Sequence, residues 1–451
     1  MSATAAPPAR RYGLGLWAAA YLFLVQMAFS TAPSPLYVLY ARRDGFSSLM
    51  ITLIYAAYAV GVLASLLLIS HRSDVHGRRP HLLAALALAM LSGVVFLAWP
   101  TLAGLFIARV LFGVAAGLTM ATVSAYISEL FRARYPDGSP ARAQLTVAAA
   151  NLGGLALGAG MTGLLAQYVP HPLTVPYLVL IAMLLLAAIG IVLAPETRPR
   201  TRPAPAYRPQ RISVPDDARP QFLAALTGIF FGFATPAVFI GLAGTFLATV
   251  VHQRSLALAG AAIFIVFSAG VGLASATSAW PTRNLLGAGL ALAITGLALI
   301  VIAAWLPTPS LALFLVGGGL IGGASAALFK GTLGTVVAIS PHDKLGETLA
   351  GYYVSAYIGL SIPAIGVGIV LQSLTPRATL LAFAIAVTIG LLAASRTLLS
   401  AHRPTGAKTQ QPLRLKPELQ AAVEQRAATE HVTVPDVVEH ALREYLHRTP
   451  T

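Results

Sequence analysis

The chain contains no cysteine, which excludes disulfides, thiol catalysis and cysteine-ligated metals. Charge is also scarce. Of 451 residues only 10% are charged while 57% are hydrophobic, whereas an ordinary soluble domain carries about 25% charged residues. So few charges cannot cover the surface of a soluble fold of this size. Disorder, which needs low hydrophobicity and high net charge, is excluded more firmly. Acidic residues are the scarcest group, with Asp+Glu 15 against Lys+Arg 30 and a net charge of +15. No carboxylate falls in the middle of a long apolar run; Asp44, Glu129 and Glu347 all lie near run ends. No GxxxxGK[ST] phosphate loop occurs, so ATP is not the energy source within this chain. No His/Glu cluster has metal spacing and no Ser/His/Asp arrangement stands out, so the expectation is no enzyme, no cofactor and no metal.

What remains is apolar sequence, with a mean hydropathy of +0.76, and it implies a lipid bilayer as the main partner. A bilayer crossing needs roughly 20 mostly apolar residues. Such runs occur at 14–40, 48–70, 82–99, 102–128, 143–168 and 173–194. They resume at 222–250, 256–279, 285–306, 309–338, 347–373 and 377–399. Rich in Leu, Ala and Gly without period-two alternation, they predict helices and not barrel strands. Arg10 and Arg11 ahead of the first run imitate a signal peptide, but that run is too long and more spans follow.

The expected fold is an all-α membrane protein of two six-helix bundles with a small C-terminal strand-helix-helix segment. The expected parts are an N-terminus at 1–13, bundles at 14–194 and 222–400, a linker at 195–221 and a tail at 401–451. The linker is rich in Pro and Arg and reads as semi-rigid and solvated.

Basic residues set orientation, because they concentrate in cytoplasmic loops. One set of loops holds Arg72, Arg78, Arg79, Arg132, Arg134, Arg142 and the linker arginines, while the other holds only Arg42, Arg43, Arg254 and Arg377. The first set is therefore expected to be cytoplasmic, with both termini inside, in a bacterial plasma membrane. A polyanionic partner is not needed to explain most of the +15.

The loop after the second run reads Ser70-His71-Arg72-Ser73-Asp74-Val75-His76-Gly77-Arg78-Arg79-Pro80. Asp74 is placed to meet the positive N-terminus of a neighbouring helix. Arg78 and Arg79 are placed to pair with Glu129 at the end of the fourth run. On composition alone this is a basic turn that sets topology. The loop resembles the signature of the major facilitator superfamily, Gly-x-x-x-Asp-(Arg/Lys)-x-Gly-Arg-(Arg/Lys). Asp74, Gly77, Arg78 and Arg79 match, while Ser70 replaces the first Gly and Val75 the basic residue after Asp. The resemblance implies a conformational latch made by Asp74, Gly77, Arg78, Arg79 and Glu129. It also implies a six-plus-six parallel repeat, although the corresponding loop of the second half, Ala279-Trp280-Pro281-Thr282-Arg283-Asn284, has no carboxylate. Arg109-Val110-Leu111-Phe112-Gly113 is similar to the family's fourth-span motif, whose Arg is linked to substrate or coupling. Gly158-Ala159 stands where the family's antiporters carry Gly-Pro, and this leans toward export. Gly113, Gly117, Gly154 and Gly158 are expected to let helices pack closely.

Substrate sites of this fold lie near the midplane between the halves. The polar residues in the runs that could line them are Gln26, Tyr55, Tyr58, Arg109, Asn151, Lys330, Tyr353 and Tyr357. A Lys or Arg deep in a bilayer must face protein or water, although outward snorkelling is open to both Arg109 and Lys330. With those two as the interior charges, the expected substrate is a small anionic or amphiphilic molecule. A proton is the candidate coupling ion, but a buried carboxylate to carry it is missing.

The tail holds Glu418, Glu424, Glu430, Asp436, Glu439 and Glu444. Leu413 to Lys416 alternates like a short strand, Pro417 opens a helix, and Thr433-Val434-Pro435-Asp436 opens another with a capping pattern. The segment resembles a ribbon-helix-helix domain, which implies dimerisation through the strand and a DNA face at Arg414 and Thr433. Pro412 and His431 depart from that pattern, and nucleic acid is not the expected partner. Two functions follow: a secondary transporter, expected to export small molecules, or a membrane-tethered DNA-binding regulator.

Overall fold

The computed structural model describes residues 9–69, 77–198, 218–341, 344–400 and 417–430. The first half comprises α1 (Ala9–Thr31), a 3-10 turn (Ser34–Leu36), α2 (Tyr37–Asp44), α3 (Ser48–Leu68), α4 (Arg78–Ala98), α5 (Leu102–Arg134), α6 (Pro140–Tyr168) and α7 (Val175–Leu193). The second comprises α8 (Arg219–Thr249), α9 (Leu256–Ala276), α10 (Thr282–Trp305), α11 (Leu311–Ile339), α12 (Leu345–Val370) and α13 (Pro376–Ser400). Among the described residues, 12 helical segments are long and apolar enough to cross a membrane. The protein is a multi-pass membrane protein, all-helical among the described residues.

Helix starts follow local chemistry. Ser47, Ser255 and Ser310 cap α3, α9 and α11, their Oγ atoms accepting from Met50, Leu258 and Leu313 amides at 3.3, 3.2 and 3.3 Å. Each satisfies one of the orphan donors of a first turn. α2 ends at Gly45, whose φ of 72° is left-handed. The first run is not one straight helix: Pro33 and Pro35 have no N–H, so α1 stops at Thr31 and the chain turns before α2.

Helices outrun the apolar windows that predicted them. α5 continues from 128 to Arg134 and α1 begins at Ala9 instead of 14. Hydropathy measures what the lipid covers, whereas the helix continues where its polar turns meet water.

Across the halves, extensive packing joins α6 to α9 and α3 to α12, with smaller contacts from α3, α2 and the 3-10 turn to α8 and from the turn to α9. Two glycines let the backbones of α6 and α9 approach closely. A Cβ on Gly260 of α9 would lie 2.4 Å from the Ala159 carbonyl oxygen, and Gly163 of α6 faces the Leu256 carbonyl in the same way at 2.7 Å. Next to them the Gln167 Oε1 accepts from the Leu256 amide at 2.8 Å. One half thus caps the first turn of a helix in the other.

Residues 402–451 form a separate compact unit, in which α14 (Pro417–Glu430) is helical and begins where the sequence places a helix. The expected strand at 413–416 and the helix from Thr433, with Arg414 and Thr433, lie outside the described residues. No strand occurs among the described residues, so the expected strand-helix-helix segment rests on one helix.

Candidate functional site

Arg109 sits two turns into α5, 1% exposed. Its Nη1 donates to the Ser30 carbonyl at 3.0 Å and its Nη2 to the Tyr55 carbonyl at 3.4 Å. Local sequence explains the first bond. Because α1 breaks before Pro33, its last carbonyls lose their helical partners and gather at the negative end of the helix dipole. The guanidinium also lies over two rings, 4.8 Å from the Tyr58 centroid and 5.8 Å from that of Tyr55, contacts worth roughly 0.5–2 kcal/mol each when desolvated. Arg109 therefore does not snorkel outward. It is a buried cation held by carbonyl dipoles and aromatic faces, and its Nε has no hydrogen-bond partner.

The cluster reaches the other half through rings. Tyr58 stacks with Phe112 at 6.0 Å and meets Tyr357 of α12 edge-on at 6.2 Å. The Tyr357 hydroxyl in turn donates to the Met120 sulfur of α5 at 3.3 Å. Nearby on α1, the fully buried Gln26 donates to Thr119 at 2.8 Å, while its Oε1 has no partner. Unmet polar atoms in an apolar interior are costly, and Arg109 Nε and Gln26 Oε1 are two of them.

The other expected cavity residues are placed differently. Lys330 of α11 runs its stem to the end of α9, donating to the Thr277 and Ser278 carbonyls at 2.8 and 3.3 Å. Four flexible carbons let it neutralise a helix C-terminus, so the expected pair of interior cations is separated. Asn151 is half-buried on α6. Tyr353 is half-buried against Tyr352 at 5.5 Å. Gly113 and Gly117 lie against α3, where Cβ atoms would come within 2.2 and 2.9 Å of the Tyr58 and Val62 carbonyl oxygens; Gly154 and Gly158 lie against α1, 2.3 and 1.9 Å from those of Leu24 and Ala28.

A second polar cluster closes the opposite end of the first half. Arg78 is buried, and its Nη2 pairs with Glu129 Oε1 at 3.0 Å, with Nε donating to Oε2 at 3.4 Å. Two further groups converge on Glu129: the Thr197 hydroxyl at 2.5 Å and Arg198 Nε at 3.5 Å. The carboxylate of Glu196 accepts from the Arg78 and Arg79 amides, both at 3.0 Å. An anion on the first turn of α4 meets both its orphan donors and its dipole. Gly77 makes room: its φ is 95°, and a Cβ there would lie 2.9 Å from Glu196 Oε2. Arg79 Nε donates to the Ile191 carbonyl at 3.1 Å and Nη2 to that of Val192. The Tyr126 hydroxyl donates to the Pro195 carbonyl at 2.6 Å. These contacts tie α4, α5 and α7 together within one half.

Asp74 lies outside the described residues. Glu196 holds the start of α4, a role that the sequence reading did not give it. The signal was present: a carboxylate immediately after the sixth run, with a Gly-Arg-Arg helix start in need of an anion. Gln167 was also missed, because nothing local marks a residue that caps a helix 88 positions away.

A family model described as Major Facilitator Superfamily matches residues 18–317. No curated protein matches the sequence. Among the solved structures that share the fold are two transporters. The nucleoside transporter NupG, solved in a mutant form, superposes with a TM-score of 0.67 at 12% identity, covering 85% of this chain and 99% of that one. The human organic anion transporter MFSD10 (TETRAN) superposes with a TM-score of 0.60 at 17% identity, covering 87% of this chain and 100% of that one.

Proposed function

The chain belongs to the Major Facilitator Superfamily, and from that premise we propose that it is a secondary active exporter of a small anionic or amphiphilic molecule. The observation that carries the substrate class is Arg109. Its described contacts are two carbonyls and two aromatic rings, with no carboxylate among them, and its Nε is unmet. A substrate anion arriving there gains a charge-assisted bond in a low-dielectric site. Tyr58 and Tyr357 add apolar faces with polar tips, which suit an amphiphilic body. Their edge-on contact gives the substrate a route to couple the two halves.

Alternating access by rocking of the two halves is the mechanism in this reading. Gln167, Gly163 and Gly260 close the end that carries α2. With the Arg-rich loops cytoplasmic, that end is the outer one, and the Arg109 cluster is then reached from the cytoplasm, where an exporter loads. The cluster around Glu129 and Glu196 holds the cytoplasmic end of the first half as one piece, which rigid-body rocking requires. The organic-anion transport named for one fold neighbour agrees in chemistry but does not carry the reading.

The test is flux in proteoliposomes with a panel of anionic, neutral and cationic amphiphiles, run with and without a pH gradient. Saturable movement of anionic members, lost in Arg109→Gln, is the expected result. Equal flux of cationic members in both proteins would overturn the substrate class. Accumulation that ignores the gradient would overturn proton coupling.

A further inference from the structure

Arg109 is buried as a full positive charge, and no carboxylate is placed to neutralise it. The six connections at the end where α5 begins, residues 45–47, 99–101, 169–174, 250–255, 306–310 and 371–375, contain no Asp or Glu. Within α1 to α13 the acidic residues are Asp44, Glu129 and Glu347. Asp44 is held by Arg43, whose Nε and Nη2 donate to it at 2.8 and 2.7 Å. Glu129 lies about 30 Å further along α5 and pairs with Arg78. Glu347 sits in the first turn of α12, at the opposite end. Carbonyl dipoles and ring faces offset only part of the cost of a buried cation.

A second unmet donor lies beside the first. Tyr37 is 2% exposed, and its hydroxyl, like Arg109 Nε, has no hydrogen-bond partner. That hydroxyl interacts electrostatically with Arg109 and Tyr55. The break that frees the Ser30 carbonyl also delivers Tyr37: after Pro33 the chain turns, and the Tyr37 amide donates to the Pro33 carbonyl at 3.1 Å. Gln26 Oε1, an unmet acceptor, sits one turn of α1 away beside Thr119 and belongs to a different place.

We propose that a small monovalent inorganic anion, chloride in ordinary salt, binds at Arg109 Nε and the Tyr37 hydroxyl in the substrate-free protein, and that the anionic substrate displaces it. The inference rests on the reading of Arg109 as the substrate's anchor and adds the partner that Arg109 keeps between substrates. Two donors and one uncompensated positive charge call for an acceptor that carries a single negative charge. Water supplies the acceptor without the charge, and a divalent anion brings more charge than one guanidinium neutralises. The positive edges of the surrounding tyrosine rings suit an anion that has shed its water. One anion or the other then neutralises Arg109 throughout the cycle.

Thermal unfolding of the substrate-free, full-length protein in detergent tests this without a transport assay. Sodium chloride is titrated against sodium gluconate at constant ionic strength. The unfolding midpoint is expected to rise with chloride and to saturate, as it does for a ligand that binds only the folded state. Arg109→Gln should abolish that response. Tyr37→Phe keeps the ring and loses one hydrogen bond to a charged group, worth about 1.5–3 kcal/mol. It should raise the half-saturating chloride concentration at least about tenfold. Lys330→Gln removes a cation that serves a helix end and should leave the response as in the parent. Arg109→Lys, which keeps the charge, should respond at raised chloride and serves if Arg109→Gln misfolds. No chloride response in the parent overturns the proposal, as does an unchanged response in Arg109→Gln or Tyr37→Phe, even where anionic flux depends on Arg109. A chloride response lost with Arg109, in a protein that moves no anionic member of the panel, upholds the anion site and overturns the exporter reading instead.

Discussion

The start of α4 in the first half and the start of α10 in the second occupy corresponding places, after the second span of each bundle, and they are built differently. At α4 the carboxylate of Glu196 receives two backbone amides while Glu129 holds the Arg78 side chain. At α10 the cap position is Pro281, and no side chain caps the helix. The interior cations differ in the same way. Arg109 lies 1% exposed near the beginning of α5, on carbonyls and rings. Lys330 sits about 18 Å further along the corresponding helix and caps the end of α9. The repeat has kept the helices and placed its charge chemistry in one half. The first half holds a buried cation and ties α4, α5 and α7 together through its carboxylates; the second supplies Tyr357, which meets Tyr58 edge-on.

The strongest way to break this comparison is to exchange the roles of the two cations. Arg109→Gln removes charged hydrogen bonds worth about 1.5–3 kcal/mol each, so substrate flux should fall at least about tenfold, a change that each 1.4 kcal/mol produces. Lys330→Gln should leave flux within about twofold, since a helix-end cation contributes only about 0.3–1 kcal/mol. The reverse ranking in proteoliposome flux would place the site in the second half.

Stability comes next. Glu129→Gln leaves the buried Arg78 without its carboxylate and should cost about 3 kcal/mol, read as a lowered unfolding midpoint in detergent. Glu347→Gln, in the first turn of α12, should cost about 0.5 kcal/mol. Equal losses would mean that the charge network is not particular to the first half.

A third prediction concerns the joint between halves. Gly260→Val forces methyl groups toward the Ala159 carbonyl and should open that end by about 1–3 kcal/mol. The absence of native cysteine permits a clean measurement. Gln167→Cys with Ser255→Cys, treated with a short thiol crosslinker, should link readily in the parent and poorly with Gly260→Val. Unchanged yield would show that the glycine contact does not set the closed end.

The most local effect is at Lys330. Lys330→Met should cost about 0.5–1 kcal/mol, seen as earlier hydrogen exchange at the end of α9. Exchange altered around Arg109 instead would mean that the two cations share a site.

Sequence alone determined the membrane class, the twelve spans, the break at Pro33 and Pro35 and the pairing of Arg78 with Glu129. Those are local properties: the length of an apolar run against a bilayer, a missing N–H, a basic loop. It also placed Arg109 in a span, where burial of a cation demands partners. It did not determine the partners. Whether Arg109 turned inward or snorkelled depended on α1 ending where its carbonyls could meet the guanidinium, 79 residues away. Lys330 had the same two options and went to a helix end, because its stem reaches Thr277. Glu196 and Gln167 cap helices far from them in the chain, and no periodicity announces such contacts. Orphan groups at helix ends must be satisfied, but which distant side chain satisfies them is settled only when the helices pack.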